Sequence, residues 1–576
     1  MFRFSIVTLG GEYRLIRKFS TKKSYYHCVG EEPLSCLTLG QLSELTSKRY
    51  GDRLAVISCH QNKRLTFRDI LDEADRLAAG FHKLGFKRGD RIGLWAPNLT
   101  EWYVSFIALA RGGYVSVPMN PYYQGFEVEL LIRKVGMRGL ICGDIFRKQN
   151  FYDILTKFSP EIINSNPRKI YCEKVPSLRN IIVMTEEQKM GTFRYSDVLN
   201  MADECSISYI NKNQDKIECD NVCNIQFTSG TTDNPKAPCQ THFNVVNNGY
   251  YTGKRIELNK KHHTICLQNP LFHVFGTVAT VCSSINHGST IVLPSDGYDP
   301  EKNLTAITKE KCTVVYGTPT MYVDLINQQR KRNEKLHLEI AVSGGAPCSP
   351  KIFEDLLEVL KVTKVKSIYG LTETTAAVFS STENDNRERS INTVGKLQEH
   401  IEAKVINSDG YLVPVGVAGE LCIRGYSTML GYYGDEKKTN EIIDENQWLR
   451  TGDQVILTKD GYANIVGRIK DMIIRGGENI YPKEIEDFLI THPDILEVQV
   501  VGVPHERLGE EVCAFIKTKN NRTITTSDIF EFSKGKLSNF KIPSKVKIVN
   551  HFPTTTSGKV QKYKIVVVFM KNKVVP

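Results

Sequence analysis

Residues 227–242, reading FTSGTTDNPKAPCQTH, gather several groups able to do chemistry in one short stretch. Thr228, Ser229, Thr231 and Thr232 surround Gly230, and Pro235 and Lys236 follow. Glycine lets the backbone bend tightly and present its N–H groups, while the hydroxyls and the lysine add further donors. Such a loop suits an anion with many acceptor oxygens, and a polyphosphate fits best. It is not a Walker A loop, because G-x-x-x-x-G-K-[ST] does not occur in the chain, and the absence of any G-x-G removes the usual dinucleotide fingerprint. Taken alone, the stretch is equally a polar surface turn.

Further candidates lie downstream. His273 sits among aromatics in Asn269-Pro270-Leu271-Phe272-His273-Val274-Phe275-Gly276, where a buried structural histidine is the plainer reading. Ser343-Gly344-Gly345-Ala346 and Tyr369-Gly370-Leu371-Thr372-Glu373 each follow an apolar run, as does Tyr316-Gly317-Thr318. They read as strand ends opening into tight turns, where ligands sit in open α/β sheets. Tyr369 offers a flat face for a base and Glu373 a hard oxygen for Mg2+, although an acid also suits the first turn of a helix. Thr451-Gly452-Asp453 places a carboxylate in a turn where it could accept both hydroxyls of a ribose; a turn-stabilising role is the alternative. Near the C-terminus, Pro553-Thr554-Thr555-Thr556-Ser557-Gly558-Lys559 is a second turn aimed at an anion.

The elements that must position these residues alternate in type. Residues 66–84 carry apolar side chains at helical spacing, residues 91–95 form a short buried-strand pattern, and residues 101–110 form another helix. An α/β architecture with a substantial parallel component follows. Residues 277–285 read as a small apolar helix. Residues 419–425 read as a strand, and residues 467–486 as a charged, glycine-bearing junction between domains. Short β runs at 498–503, 512–517 and 545–549 predict a small α+β domain beyond it.

At 576 residues the chain exceeds one compact core, and its 41% hydrophobic and 24% charged composition is that of a globular protein. No apolar run approaches a transmembrane span. The net charge of +11 is spread along the chain and suits anionic small molecules; no nucleic-acid module is present. The fifteen cysteines lack metal-binding spacing and read as reduced thiols. Residues 1–27 hold six Arg and Lys against the single acid Glu12, with Ser and Thr interspersed. That is the composition of a mitochondrial transit peptide; a basic tail is the alternative.

Together, the hydroxyl-rich loop, Tyr-Gly-x-Thr-Glu, Thr-Gly-Asp, Gly-Arg-x-Lys-Asp and the terminal Gly-Lys resemble the ANL superfamily of adenylate-forming enzymes, in that family's order over residues 37–564. Within it the chain is most similar to the acyl-CoA synthetases, in particular the mitochondrial medium-chain fatty acyl-CoA ligases. The resemblance implies an ANL fold: a transit peptide over 1–22, a large N-terminal domain of mixed sheets with packed helices over 23–467, and a small mobile α+β domain over 468–576. It implies activation of a fatty acid by ATP, with Mg2+, to acyl-AMP, followed by transfer to CoA in the mitochondrial matrix.

By the same resemblance Thr228, Ser229, Gly230, Thr231, Thr232 and Lys236 hold the phosphates, and Glu373 positions Mg2+. Tyr369, Gly370, Thr372, Gly344, Gly345 and Ala346 take the adenine end. Asp453 takes the ribose hydroxyls with Arg468 nearby, and Lys559 bridges the substrate carboxylate and the α-phosphate. His273 joins the catalytic set, Lys470 is the hinge, and Gly476 and Gly477 line the CoA tunnel. Asp233 and Ala237 stand where the family usually has glycines, and the end after Lys564 is atypical. These departures also admit a member that binds nucleotide or acyl chains with little turnover.

Overall fold

The computed structural model describes residues 5–9, 12–16, 22–228, 235–346, 348–475, 478–519, 522–555 and 559–571. Helix Phe67–Lys83 forms where the apolar spacing predicts it. Thr66 caps it, accepting from the Asp69 N–H while the Asp69 carboxylate accepts from the Thr66 N–H, and it buries Ile70, Ala74, Leu77, Ala78 and Phe81. Strand Arg91–Trp95 and helix Thr100–Gly112 follow, the helix buried nearly all round.

Two large sheets carry the N-terminal part. In the first, Phe193–Arg194, Asn180–Val183, Gly139–Cys142, Arg91–Trp95, Val115–Met119 and Val222–Ile225 run parallel in that spatial order. Pro238–Thr241 and Gly431–Tyr432 extend it antiparallel. In the second, the parallel order is Lys364–Tyr369, Ile340–Gly344, Val314–Gly317, Thr264–Leu267, Thr290–Leu293 and Leu54–Ser58. The largest buried cluster joins both sheets to helices Leu39–Tyr50, Phe67–Lys83, Thr100–Gly112 and His242–Arg255. Central strands buried on both faces read as continuous apolar runs, which is why residues 314–317 and 340–344 were legible as strand ends.

A third, antiparallel sheet orders Ala463–Arg468, Leu449–Leu457, Gly419–Gly425, Ile401–Ile406 and Tyr25–Cys28. Beyond it, Ile473–Arg475, Glu478–Ile480, Ile495–His505, Gly509–Thr518 and Lys545–Ile548 form a separate sheet packed on helices Pro482–Leu489 and Thr526–Ser533 with its own apolar core. Residues Ser5–Leu9 and Glu12–Ile16 pair as an antiparallel hairpin. Among the described residues no helix is long and apolar enough to cross a membrane, and all fifteen cysteines are free thiols.

Two expectations are corrected. Asp453 lies within the nine-residue strand Leu449–Leu457, not in a turn. Gly452 at φ 69° kinks that strand, and the pairing with residues 420–422 shifts register there. Residues 277–285 are not one regular helix: a π-helical turn, Thr277–Cys282, is inserted between short α-helical pieces.

Candidate active site

The site lies at the carboxyl ends of the parallel strands, where Val222–Ile225, Val314–Gly317, Ile340–Gly344 and Lys364–Tyr369 all terminate. After Ile225 the chain runs through Gln226 to Thr228, and it returns at Lys236 into Pro238–Thr241. Thr228 and Lys236 pinch the loop at its base: the Thr228 N–H donates to the Lys236 carbonyl at 3.0 Å and the Lys236 N–H to the Thr228 carbonyl at 3.3 Å. Ser229, Gly230, Thr231, Thr232 and Asp233 lie outside the described residues. Ala237 is fully buried, and its carbonyl accepts from the Tyr433 N–H at 2.9 Å, so its methyl is absorbed by the core.

Beyond Tyr369 the backbone turns so closely that a Cβ on Gly370 would stand 1.9 Å from the Ala376 carbonyl oxygen. A 3-10 turn, Thr372–Thr374, then presents Glu373. Thr375, a β-branched residue, is held at φ 67°, and its hydroxyl donates to the Ser427 carbonyl at 2.7 Å. Such a backbone persists only where its surroundings over-determine it. Here Gln240 Nε2 donates to the Thr372 carbonyl at 3.0 Å, and the Met429 N–H donates to the Glu373 carbonyl at 3.0 Å. The carboxylate itself is half-buried, with Oε1 accepting from the Tyr432 hydroxyl at 2.9 Å. Lys236 Nζ lies 5.2 Å from the centroid of the same tyrosine ring.

Asp453 is 3% exposed. Its Oδ2 accepts from the Tyr369 hydroxyl at 2.6 Å and its Oδ1 pairs with Arg468 Nε at 2.7 Å. Burial raises its carboxyl pKa above the usual range, against the pull of Arg468 and Tyr369. Each oxygen keeps a further lone pair for a diol. Gly344 ends its strand buried, whereas Gly345 and Ala346 are exposed at the mouth of the site.

Lys559 comes from the C-terminal part and reaches across to Gly345, where an added Cβ would sit 3.5 Å from Lys559 Cε. Its backbone is fixed by Thr555, whose N–H donates to the Lys559 carbonyl at 2.7 Å and whose hydroxyl accepts from the Lys559 N–H at 3.0 Å. Burial, reinforced by Arg468, depresses the ammonium pKa, while Asp453 and Glu373 oppose the shift. His273 is pushed down to about 3 by burial and by Lys559, so at neutral pH its ring is uncharged. Its Nδ1 accepts from the Phe275 N–H at 3.2 Å, which leaves Nε2 as an N–H donor. The ring therefore offers a neutral donor rather than a proton shuttle.

Lys470 sits in the 3-10 turn Ile469–Asp471 just after the antiparallel sheet. Burial and the neighbouring Arg468 lower its pKa, with Lys236 adding to the shift. Gly476 and Gly477 lie outside the described residues. The geometry thus brings Thr228, Lys236, Gly344, Gly345, Tyr369, Glu373, Asp453, Arg468 and Lys559 to one cleft.

Among the described residues no three His, Cys, Asp or Glu side chains form a metal cage. A single carboxylate, Glu373, still fits Mg2+, which takes most of its oxygens from phosphates and water. Sequence reasoning missed Tyr432 and the polar struts behind the site: Gln240, and Gln226, whose Nε2 donates to Thr277 Oγ1 at 2.9 Å. Nothing in their local sequence marks them; sheet pairing alone brings them in.

Comparison with known proteins matches the profile "AMP-binding enzyme" over residues 44–433 and "AMP-binding enzyme C-terminal domain" over residues 484–559. The chain is 43% identical over 545 residues to the mitochondrial medium-chain acyl-CoA ligase ACSF2 of Danio rerio, covering 94% of this chain and 90% of that protein. It is 38% identical over 548 residues to the Homo sapiens protein of the same name, covering 94% and 89%. Among solved structures, the anthranilate CoA ligase AuaEII in complex with anthranoyl-AMP superposes with a TM-score of 0.82 at 23% identity, over 95% of this chain and 99% of that one.

Proposed function

Because this chain belongs to the AMP-binding enzyme family, we propose that it is a mitochondrial acyl-CoA synthetase that activates a medium-chain fatty acid through acyl-AMP. The observation that carries this reading is the cleft itself. Lys559 from the C-terminal part, the Tyr369–Asp453–Arg468 cluster, and Lys236 and Glu373 on either side of Tyr432 converge where a nucleotide, an anion and a carboxylate would meet.

In the first half-reaction a carboxylate oxygen of the acid bonds to the α-phosphorus of ATP and the bond to pyrophosphate breaks. Two anions approach and negative charge spreads over the transferring phosphorus, so fixed donors and cations are the main requirement. Thr228 and Lys236, with residues 229–232, take the β- and γ-phosphates. Asp453 accepts from the ribose hydroxyls, held in place by Tyr369 and Arg468. Lys559 donates to both the acid and the α-phosphate, and the arrival of these anions offsets the burial that lowers its pKa. His273 contributes a neutral N–H near the acyl end. Glu373 holds Mg2+, which when bound neutralises charge on the phosphate oxygens.

In the second half-reaction the CoA thiol gives up its proton to solvent and its sulfur bonds to the acyl carbon. The carbon–oxygen bond breaks, and AMP departs with an oxygen that came from the acid. We assign the hinge to Lys470, the thiol path to Gly476 and Gly477, and the boundary of the mobile unit to Gly467/Arg468. The acyl chain is assigned to the buried, apolar wall formed by residues 271–285 and 374–379. Purified protein given ATP, Mg2+, CoA and octanoate tests the proposal: AMP and octanoyl-CoA in equal amounts support it, and no acyl-CoA from any acid between C2 and C16 refutes it.

The mitochondrial address rests on the basic, acid-poor residues 1–22 and on the names of the relatives. A reporter fused behind residues 1–30 should reach the matrix; cytosolic retention would sink that assignment.

A further inference from the structure

We propose that Tyr432 is a positioning residue that aims the Glu373 carboxylate and couples it to the phosphate-loop lysine, Lys236; this rests on the roles given to Glu373 and Lys236 above. Tyr432 belongs to the two-residue strand Gly431–Tyr432 at the edge of the first sheet, in register with Pro238 and Cys239. The Leu430 N–H donates to the Cys239 carbonyl and the Tyr433 N–H to the Ala237 carbonyl, each at 2.9 Å. The segment is therefore zipped to the strand that leaves the phosphate loop two residues after Lys236. On its other side the Met429 N–H donates to the Glu373 carbonyl at 3.0 Å. One short backbone stretch thus splices the loop to the turn that carries the carboxylate.

A third contact anchors the same backbone. The Tyr432 N–H donates to Thr439 Oγ1 at 2.9 Å. Gly431, at φ 150°, lets Thr439 approach so closely that an added Cβ would meet its Cγ2 at 2.9 Å. From this anchor the Tyr432 hydroxyl donates to Glu373 Oε1 at 2.9 Å, and the ring receives Lys236 Nζ at 5.2 Å. A phenol keeps its proton at neutral pH, so in this contact the hydroxyl is the donor and the carboxylate oxygen the acceptor. A carboxylate held at one oxygen presents the other in a fixed direction, as hydrogen bonds behind a metal ligand commonly do. The ring also gives Lys236 a cation–π partner other than Glu373, which keeps the two opposite charges available for metal and phosphate rather than for each other.

The test uses the full-length protein, Mn2+ as a spectroscopic probe and a non-hydrolysable ATP analogue, without acid or CoA. Tyr432→Phe removes the hydroxyl and keeps the ring. It should weaken Mn2+ binding to the protein–nucleotide complex ~10-fold, leave metal-free nucleotide affinity in EDTA unchanged, and leave the thermal midpoint unchanged. Tyr432→Leu removes the ring as well and should weaken metal-free nucleotide binding too. In a Glu373→Gln background Tyr432→Phe should have no further effect on Mn2+ binding, since the two side chains act as one unit. Unchanged Mn2+ affinity in Tyr432→Phe, or full additivity with Glu373→Gln, overturns the proposal. Because acyl transfer plays no part in this measurement, a wild-type protein that makes no acyl-CoA would refute the function above without deciding this point.

Discussion

Replacing Lys559 by Ala should separate the two half-reactions. The side chain reaches Gly345 from a backbone fixed independently by Thr555, so truncation leaves the turn in place. What is lost is one preorganised cation at the point where charge develops. Removing such a group from a water-excluded site typically costs ~3–4 kcal/mol, or ~100- to 1,000-fold in rate. Arg468 and Lys236 remain, but Arg468 is engaged by Asp453 and Lys236 is held beside Tyr432, so neither substitutes. Acyl-AMP formation, followed as pyrophosphate release in a single turnover, should fall by that factor. Thioester formation from supplied acyl-AMP should change only slightly, because the sulfur attacks carbon and displaces AMP without a new charge beside Lys559. Folding should not suffer: burial depresses the ammonium pKa, so the charge opposes folding and its removal leaves the thermal midpoint equal or higher. Equal losses in both half-reactions, or a destabilised protein, would refute the reasoning.

Gly370→Ala places a methyl 1.9 Å from the Ala376 carbonyl oxygen; it should cost ~2 kcal/mol or more by overpacking and raise the KM for ATP, checked by denaturant unfolding and kinetics. His273 has a folded pKa of about 3, far below its ordinary value, so the unfolded chain binds the extra proton between these values. Stability should therefore fall as pH drops from 6.5 towards 3, and His273→Asn should flatten that part of a pH–stability curve. For the acid, each methylene buried along residues 271–285 and 374–379 contributes ~0.8 kcal/mol, or about fourfold in kcat/KM; a series from acetate to octanoate should rise steeply, and acetate as the best substrate would disprove the acyl-wall assignment.

What the sequence made legible was local. Helix Phe67–Lys83 announces itself by its apolar spacing, and the buried runs at 314–317, 340–344 and 364–369 mark strands that end in tight turns. Of the side chains named for chemistry at those ends, Tyr369 is bonded to Asp453 and Glu373 to Tyr432, each a partner from a distant element. Asp453 was misplaced because Thr-Gly-Asp looks like a turn, whereas sheet pairing on both sides keeps it within a strand and spends the glycine on a kink. The π-helical turn Thr277–Cys282 escaped because its composition is that of any small apolar helix; the extra residue per turn is set by packing. Tyr432 was invisible for a different reason: its partners lie 59 and 196 residues away in sequence and meet it only through an edge strand.

The most direct measurement follows the oxygen. With octanoate labelled by ¹⁸O in its carboxylate, the attack on the α-phosphorus and the later loss of AMP should place one labelled oxygen in the phosphate of AMP and none in pyrophosphate. That pattern requires an acyl-AMP intermediate. Label in inorganic phosphate or pyrophosphate, or unlabelled AMP alongside acyl-CoA, would contradict the account.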